Sequence, residues 1–361
     1  MQLLGLSTSQ IEDVLIQSGQ PAFRGRQISE WIYKRGAQDF EAMTNLSRPL
    51  RDKLQAEHPL LFPELAQRFL SSDGSCKYLL RLQDGETIEA VRLPYPDRVS
   101  VCVSSQAGCA MGCTFCATGL GGFRRNLSSG EIIAQVLLAM RDDQARSVPT
   151  HIVFMGMGEP LLNWKNVRET IGLMHDECGI PMRNITLSTV GILDGIEKLA
   201  GEKWQLTLAI SLHAPNDELR HRLIPTSRKT RVHEIVAAAQ NYVRQTGRRV
   251  SFEYVVLGGV NDQPEQARQL AALCKGWPCH VNLIPWNSVP DASLEEEPFA
   301  SPRPQDLRDF RSILERAGVS VTQRTQRGAD VAGACGQLRA LNTPQPSFEP
   351  AASLMKLPVV A

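Results

Sequence analysis

Residues 99–116 read VSVCVSSQAGCAMGCTFC and join a strand-like segment to a loop that carries three cysteines. Apolar and small polar residues alternate over Val99–Ser104, which is the period-two pattern of a β-strand with two different faces. The loop that follows places Cys109, Cys113 and Cys116 around a glycine. Reactive side chains in a loop directly after a strand are typical of βα barrels, whose chemistry lies at the carboxyl ends of the strands.

Strands and helices alternate along the chain downstream of this stretch. Such alternation implies parallel strands joined by right-handed crossovers. We therefore expect an α/β fold built as a partial (β/α)6 barrel of the TIM type rather than a flat sheet. The predicted strands are Val99–Ser104, His151–Met155, Asn184–Ser188, Leu206–Leu212, Val250–Val256, Val281–Ile284 and Val319–Thr322. The predicted helices are Ser129–Arg141, Trp164–His175, Ile192–Leu199, Val232–Thr246, Gln263–Leu273 and Pro304–Ala317.

The sequence pattern divides the chain into four segments. The barrel is expected to span residues 99–342, after a small helical accessory domain at 1–65. Between them, residues 66–98 predict a β-hairpin extension, because Asp84-Gly85 is a strong two-residue turn signal between two apolar runs. The last segment, 343–361, is rich in Pro, Ala and Ser, so we expect a disordered tail.

Three helices are predicted within the accessory domain. The stretch Ser7-Thr8-Ser9-Gln10 offers a Ser or Thr cap to a helix that begins near Ile11. Further helices are predicted over Arg26–Arg35 and over Leu46–Glu57. This segment also has a basic flank, formed by Arg24, Arg26, Lys34 and Arg35. Such charges equally fit an ordinary solvated face.

The overall composition limits the class of protein. Apolar residues make up 42% and charged residues 21%, which suits an ordinary globular chain. The sequence contains no apolar run of roughly eighteen residues that would predict a membrane span. Its start lacks the basic and apolar pattern of a secretory signal, so we expect a cytoplasmic protein. Because the net charge is only +1, a nucleic-acid site would have to be a local patch.

The cysteines favour metal or redox chemistry over a disulfide framework. An odd number of cysteines in a chain without a secretory signal is a poor basis for paired disulfides. The nine cysteines are Cys76, Cys102, Cys109, Cys113, Cys116, Cys178, Cys274, Cys279 and Cys335.

Three cysteines within eight residues suggest a particular kind of cluster. Thiolates suit zinc or iron–sulfur clusters, and four of them would saturate either site. The set Cys109, Cys113 and Cys116 would leave one iron of a [4Fe–4S] cluster open to a small molecule. The alternative is a structural zinc completed by a distant Cys or His, although closed zinc sites usually pair two short cysteine motifs.

Other polar and glycine-rich residues follow the predicted strands. Gly156-Met157-Gly158-Glu159-Pro160 could bring backbone close to a ligand, and Glu159 offers a carboxylate for an ammonium group. Ser188 and Asn287 are candidates for hydroxyl or carboxylate binding. Ser211-Leu212-His213 could hold a base through backbone groups. The alternatives are a plain strand-end turn and a structural histidine.

These motifs together resemble one family. The cysteine spacing is similar to that of the radical S-adenosylmethionine (SAM) superfamily, and the chain as a whole resembles the RlmN/Cfr family of adenine methyltransferases that act on ribosomal RNA. The N-terminal helices and hairpin also look like the accessory region of that family. The matching segments are Ser104–Cys109, Cys116–Gly119, Arg125–Leu127, Phe154–Pro160, Ser211–Ala214, Gly258–Asp262 and Ala334–Leu338.

The resemblance implies cofactors, a substrate and partners. The cofactors are a [4Fe–4S] cluster held by three cysteines and SAM on the open iron, where Gly158, Glu159, Ser188, Asn287 and the segment Ser211–His213 would bind it. The substrates are an adenine of 23S rRNA in the peptidyl-transferase region and an adenine of the tRNA anticodon loop. An electron donor such as flavodoxin or ferredoxin would be required. We expect a monomer whose accessory domain contacts RNA.

Two branches of the family differ in the carbon that they methylate. One branch modifies C2 of adenine and the other modifies C8. Pro160, Ala214 and the stretch Ile284-Pro285-Trp286-Asn287 resemble the C2 branch, so the sequence favours C2. The C8 activity remains the alternative.

The resemblance also implies a series of reaction steps. C2 of adenine is too electron-poor to act as a nucleophile, and a radical route avoids that requirement. Cys335 would accept a methyl group from one SAM. A radical formed from a second SAM would remove hydrogen from that S-methyl group, and the carbon would add to C2. Cys102 would then release the methylated RNA by forming a transient disulfide with Cys335. The pattern alone also allows both to be buried structural cysteines.

Removal of the C2 proton calls for a base. Glu89 matches the position of the family's proton acceptor, and Glu86 is the competing candidate. A strand carboxylate of this kind can also be merely solvated.

The remaining basic and cysteine residues have weaker assignments. Candidate contacts to the RNA backbone are Arg124, Arg125, Arg228, Lys229, Arg231, Arg248, Arg249, Arg324 and Arg327. Cys76, Cys178, Cys274 and Cys279 are read as structural. Two rival functions remain open at this point: a different radical SAM enzyme, and a nucleic-acid-binding module stabilised by a metal.

Overall fold

The computed structural model describes residues 2–142 and 150–339. The tail predicted at 343–361 and the end of the barrel segment, 340–342, lie outside the described residues. Within the described ranges, none of the helices combines the length and the apolar character needed to cross a bilayer.

Within the described residues, one open sheet of ten strands organises the fold. Its strand order is β1-β2-β3-β4-β7-β8-β9-β10-β11-β14. From β4 onward all neighbours are parallel, whereas β1 to β4 pair antiparallel. The strands are β1 Glu64–Leu70, β2 Cys76–Arg81, β3 Thr87–Pro94, β4 Val99–Cys102, β5 Gln106–Gly108, β6 Phe123–Asn126, β7 His151–Phe154, β8 Ile185–Thr189, β9 Thr207–Ser211, β10 Val250–Val256, β11 Cys279–Pro285, β12 Ser293–Leu294, β13 Glu297–Pro298 and β14 Val321–Gln323.

Helices follow most of the parallel strands, as in a partial barrel. The helices are α1 Thr8–Gln17, α2 Phe23–Ser29, α3 Arg48–Glu57, α4 Ala117–Leu120, α5 Ser129–Met140, α6 Trp164–Gly172, α7 Leu193–Gly201, α8 Asp217–Leu223, α9 Val232–Thr246, α10 Pro264–Cys274 and α11 Pro304–Arg316. The predicted alternation of strands and helices is confirmed, and so is the α/β fold. The sheet is open at β1 and β14, as a partial barrel requires. Most predicted boundaries differ by one or two residues, because local periodicity does not fix where an element ends.

The segment before the barrel contains one strand more than predicted. The expected hairpin is present as β2 and β3, but β1 pairs antiparallel with β2 and makes a three-stranded extension. The β1 sequence ELAQRFL mixes polar and apolar residues on both faces, which gives no alternating signal. Because β3 also pairs with β4, the extension continues the barrel sheet and is not a separate hairpin.

The N-terminal helices pack against the barrel through polar contacts. Ser7 caps α1, which agrees with the predicted Ser or Thr cap, although the helix begins at Thr8 and not near Ile11. Ser7 also forms a capping box with Gln10. Thr8 and Ser29 both donate hydrogen bonds from their hydroxyls to Glu177, at 2.7 Å and 3.1 Å. The helix predicted over Arg26–Arg35 becomes α2 followed by a wider π turn, Glu30–Lys34, which buries three consecutive residues.

A second apolar cluster lies under the loops at the carboxyl ends of the strands. It joins the cysteine loop to the loop after β11, because Met111 and Phe115 pack with Leu257 and Trp286. The indole of Trp286 donates to the carbonyl oxygen of Phe115 at 3.1 Å. This packing fixes the three-cysteine loop above the open end of the barrel, where the predicted site residues gather.

Candidate functional site

A cavity of about 150 Å³ at the carboxyl ends of the strands contains most of the predicted site residues. Its lining includes the three cysteines of the loop and Cys335, which comes from the far end of the chain. The predicted cofactor-binding residues in its wall are Gly158, Glu159, Ser188, Ser211, His213 and Asn287. Leu212, Cys102 and Glu89 lie outside this wall. The structure therefore brings together residues that are distant in sequence.

Burial governs the chemistry of the three loop cysteines. Removal from water raises the pKa of Cys109 to about 12 and also raises the pKa of Cys113 and Cys116. Nearby thiols add to the effect: Cys116 acts on Cys109 and Cys113, and Cys335 acts on Cys116. Three thiolates can share this site only when cations take the place of their protons.

The donor set fits an iron–sulfur cluster. The described residues contain no group of three or more His, Cys, Asp or Glu side chains placed to hold a single metal ion. A cluster is wider than one ion, because its irons and sulfides separate the thiolates that hold it. Cys109, Cys113 and Cys116 line the same cavity and supply three soft ligands, which leaves one cluster position without a ligand from the loop.

The glycines after β7 are required by packing against neighbouring backbone. A Cβ on Gly156 would lie 2.7 Å from the carbonyl carbon of Val103, and a Cβ on Gly158 would lie 2.5 Å from Cβ of Gln106. Gly158 also has a φ of +100°, which L side chains rarely adopt. The sequence-based reason, close approach to a ligand, is therefore incomplete, since strand packing alone demands both glycines.

Glu159 is a buried carboxylate beside the cysteines. Its Oε2 accepts a hydrogen bond from the backbone N–H of Val190 at 2.8 Å, and its Oε1 accepts one from Leu161 at 3.0 Å. Burial nevertheless raises its pKa to about 7. A cation in the cavity would favour the charged form, so the site is suited to an ammonium group.

His213 is fixed as a neutral ring. Its Nδ1 accepts a hydrogen bond from the backbone N–H of Val255 at 3.0 Å, and its ring meets Phe115 edge-on with centroids 5.0 Å apart. Burial, aided by the charge of Arg220, lowers the pKa of His213 to about 3. Its positive φ of 59° is held by Asn261, which donates to the His213 carbonyl at 2.9 Å.

The backbone of Leu212 is already engaged within the protein. Its N–H donates to the carbonyl oxygen of Glu253 at 3.0 Å, and its carbonyl oxygen accepts from Arg220 at 3.3 Å. The Leu212 N–H that was predicted to bind a ligand is therefore already used in a hydrogen bond within the protein. Its neighbour Ser211 does reach the cavity, where its hydroxyl lies 3.3 Å from that of Ser188.

Asn287 links the cavity to the loop that carries Cys335. Its Nδ2 donates to the carbonyl oxygen of Cys335 at 3.0 Å. Its Oδ1 is buried and accepts no hydrogen bond from the described residues. A buried acceptor without a donor is costly, so this oxygen is suited to a hydroxyl or ammonium group of a bound cofactor.

Cys335 also lines a second, smaller cavity of about 30 Å³, and Cys102 lies in the wall of that cavity. The pKa of Cys102 is raised to about 12, chiefly by burial and also by the proximity of Cys335, while the charge of Arg324 acts in the opposite direction. Cys335 is thus shared between the cavity of the three cysteines and the cavity of Cys102.

Arg324 is the site residue whose place was not predicted. The sequence suggested an RNA-backbone contact, but Arg324 lines the small cavity with both cysteines. The pKa of Arg324 is raised chiefly by Cys335 and to a lesser extent by Glu253. It follows β14 directly, so its position at a strand end was the available signal.

Glu89 is buried and lines neither cavity. Its Oε1 forms an ion pair with Nζ of Lys77 at 3.0 Å, and its Oε2 accepts the backbone N–H of Arg339 at 2.9 Å. The competing candidate, Glu86, lines a different cavity beside Arg124.

The remaining predicted residues lie apart from the two cavities or are bound by neighbours. Arg125 pairs with Asp84 at 2.5 Å and with Glu131 at 2.8 Å, so its charge is used within the protein. Cys279 donates to the carbonyl oxygen of Cys274 at 3.3 Å, which fits their reading as structural cysteines.

Comparison with known proteins agrees with this geometry. Residues 103–271 match the radical SAM superfamily, and residues 1–59 match the "Ribosomal RNA large subunit methyltransferase N-terminal domain". A protein of Thermosynechococcus vestitus named "Probable dual-specificity RNA methyltransferase RlmN" is 46% identical over 94% of this chain and 98% of its own. A protein of the same name from Synechococcus sp. (strain CC9311) is 47% identical over 93% of this chain and 97% of its own.

The crystal structure of a radical SAM methyltransferase from Sphaerobacter thermophilus has the same fold. It superposes with a TM-score of 0.90 at 44% sequence identity, and the match covers 94% of this chain and all of that one. The chain belongs to the RlmN family of the radical SAM superfamily.

Proposed function

We propose that this protein methylates C2 of an adenine in 23S rRNA, and of an adenine in the tRNA anticodon loop, by way of a methyl group carried on Cys335. One observation carries the proposal: Cys335 lines both the cavity of the three-cysteine loop and the cavity of Cys102. A carrier sulfur must be reached first by a methyl donor and later by a second thiol, and Cys335 faces both places.

The chain's own residues would hold the cofactors. Cys109, Cys113 and Cys116 would bind a [4Fe–4S] cluster, while Glu159 and the free oxygen of Asn287 would bind the ammonium and hydroxyl groups of SAM. When bound, these cofactors supply one-electron cleavage of SAM and removal of a hydrogen atom from the S-methyl group of Cys335.

The first half of the reaction would be a nucleophilic substitution at the methyl carbon of SAM, with the sulfur of Cys335 as the nucleophile. The Cys335 thiolate attacks the methyl carbon of SAM, the bond from that carbon to the sulfonium breaks, and S-adenosylhomocysteine leaves. The Cys335 side chain becomes S-methylcysteine. Arg324 supports the thiolate as the nearby cation, and Asn287 holds the Cys335 backbone.

The second half would end with release by Cys102. Once the carbon has bonded to C2, the adduct would lose the C2 proton and one electron, and the electron would return to the cluster. The Cys102 thiolate would then attack the sulfur of Cys335, the sulfur–carbon bond would break with its electron pair going to carbon, and that carbon would take up a proton to become the methyl group. A Cys102–Cys335 disulfide forms, and a thiol reductant restores both thiols. Glu89 as the acceptor of the C2 proton stays a prediction.

Two features support an RNA substrate and C2 as the target. The names of the relatives describe dual-specificity RNA methyltransferases, and residues 1–59 match a domain of ribosomal RNA methyltransferases. Pro160 and Ala214 resemble the C2 branch, and both are buried beside the site. We propose that the helical segment 1–65 contacts the RNA, that residues 66–98 join it to the barrel domain 99–342, and that the protein is a cytoplasmic monomer. An electron donor such as flavodoxin or ferredoxin would serve it.

Mass spectrometry of RNA after reaction tests this proposal. Anaerobically reconstituted protein, SAM and a reductant are incubated with a 23S rRNA fragment or a tRNA, and the modified nucleoside is identified. 2-Methyladenosine supports the proposal. 8-Methyladenosine would identify the alternative activity, and unmodified RNA with intact SAM would overturn the assignment as an RNA methyltransferase.

A further inference from the structure

The segment that carries Cys335 is fastened to the three-stranded extension β1–β3. We call residues 328–339 the Cys335 loop. At its start, the N–H of Gly328 donates to Asp73 at 3.0 Å. Asp330 then accepts hydrogen bonds from the hydroxyls of Ser71 and Ser72, at 2.6 Å and 3.0 Å. The turn between β1 and β2 therefore holds the beginning of the loop.

A buried ion pair on the same extension holds the loop on both sides of the cysteine. Lys77 on β2 and Glu89 on β3 lie 3.0 Å apart, and their side chains are 9% and 6% exposed. Nζ of Lys77 donates to the carbonyl oxygen of Ala332 at 3.4 Å, before Cys335. Oε2 of Glu89 accepts the N–H of Arg339 at 2.9 Å, after it.

The backbone of the loop needs such support. Ala332 has a φ of +50°, in the left-handed region that non-glycine residues seldom adopt. A strained residue of this kind persists only where its surroundings determine its conformation. The contact from Lys77 falls on the carbonyl of this residue. Glu89 in turn neutralises the buried charge of Lys77, so neither side chain can be lost without affecting the other.

We infer that Lys77 and Glu89 are positioning residues that hold Cys335 between the two cavities. This inference rests on the proposed function, in which Cys335 is the methyl carrier. Both carboxylate oxygens of Glu89 already have partners, and Glu89 lines neither cavity. Glu89 would therefore hold the Cys335 loop before any RNA is bound. A base for the C2 proton, in contrast, acts only after RNA has bound.

The two half-reactions distinguish the roles. Methyl transfer from SAM to Cys335 involves no adenine and no C2 proton. A residue that serves only as the base has no part in that step, whereas a residue that places Cys335 affects it. Misplacement of a reacting atom by about 1 Å can slow a reaction by roughly a hundredfold.

The experiment measures the rate of Cys335 methylation in single-turnover reactions of the reconstituted protein without RNA, by peptide mass spectrometry. We expect Lys77→Met and Glu89→Gln each to slow methylation by about ten- to a hundredfold. The double variant should be no slower than the slower single variant, and Lys77→Arg should recover part of the rate because it keeps the cation. The matched control is Glu64→Gln, which breaks the exposed Arg81–Glu64 pair on the same extension; it should leave the rate unchanged.

Hydrogen–deuterium exchange gives a second readout that needs no cofactor. In protein without cluster or SAM, Lys77→Met and Glu89→Gln should speed amide exchange in residues 328–339, whereas Glu64→Gln should not. If both variants methylate Cys335 at the normal rate and lose only RNA methylation, the positioning role is wrong and Glu89 acts as the base. If the unchanged protein never methylates Cys335, the proposed function fails, while the exchange result still decides whether the pair holds the loop.

Discussion

Cys102 and Cys335 line the same small cavity, although Cys102 belongs to the first barrel strand and Cys335 to a loop after the last one. Arg324 lies in the same wall and its charge opposes the effect of burial on the Cys102 thiol. The cavity therefore contains two sulfurs and a cation, which is the set of groups that thiol–disulfide exchange uses.

Replacement of Cys102 by alanine should trap an intermediate. Without a second thiol, the bond between the carbon on Cys335 and C2 cannot be broken by sulfur attack, so the protein should remain covalently attached to RNA. Denaturing electrophoresis with labelled RNA would show a shifted band. Cys274→Ala serves as the control, because Cys274 is buried away from both cavities. Free methylated RNA formed at the normal rate by the Cys102 variant would rule out its resolving role.

Removal of the Arg324 charge should make Cys102 less reactive. Burial raises the pKa of Cys102 to about 12 and Arg324 lowers it, so Arg324→Gln should raise that pKa further. Since the thiolate is the reactive form, alkylation at a fixed pH below 12 should slow by about tenfold for each pKa unit gained. Peptide mass spectrometry after timed treatment with iodoacetamide measures this rate. The exposed Arg228→Gln variant is the control, and equal rates in the two variants would refute the effect of Arg324.

Glu159 should make SAM binding depend on pH near neutrality. Burial raises its pKa from 4.5 to about 7, so the carboxyl is largely protonated below pH 7 in the free protein. An ammonium group binds the ionised form, so affinity should be full above pH 7 and fall by up to about tenfold per pH unit below it. Calorimetry of SAM binding at pH values on both sides of the pKa of about 7 tests this. A Glu159→Gln variant should bind weakly at every pH; an unchanged pH dependence in that variant would assign the titration to another group.

Alanine at Gly158 should destabilise the fold as well as the site. Its Cβ would lie 2.5 Å from that of Gln106, and its φ of +100° is unfavourable for any L side chain. We expect Gly158→Ala to lower the free energy of unfolding by about 2–4 kcal/mol, measured by urea unfolding. Gly201→Ala is the matched control, since its Cβ would meet no atom within 4 Å. Equal stability of the two variants would contradict the packing reason given for Gly158.

The sequence predicted those parts of the site that depend on the spacing of residues close together in the chain. The spacing of Cys109, Cys113 and Cys116 is a local property, and strand periodicity placed Glu159 and Asn287 at strand ends. In the structure these residues line one cavity. The pairing of Cys102 with Cys335 was implied only by family resemblance, because no local pattern links residues so far apart in the chain.

The contacts that the sequence did not predict depend on how the sheet continues. Strand β1 has no alternating pattern, and its place follows from pairing with β2. The ion pair of Lys77 and Glu89 is buried and contacts the Cys335 loop at Ala332 and Arg339, which lie far along the chain. The local sequence around Arg324 is that of an ordinary surface arginine. Its place beside the small cavity follows from the pairing of β14 with β11. Such features require the tertiary arrangement and have no signature in local composition.

The central claim is that Cys335 carries the methyl group, and one measurement tests it most directly. Reconstituted protein is incubated with SAM that bears an isotopically labelled methyl group, the excess SAM is removed, and unlabelled SAM and RNA are then added. The proposed function predicts that the label first resides on the peptide containing Cys335 and then leaves it for the RNA. Label that reaches the RNA without ever residing on Cys335, or RNA that carries only unlabelled methyl groups in the first turnover, would contradict the claim.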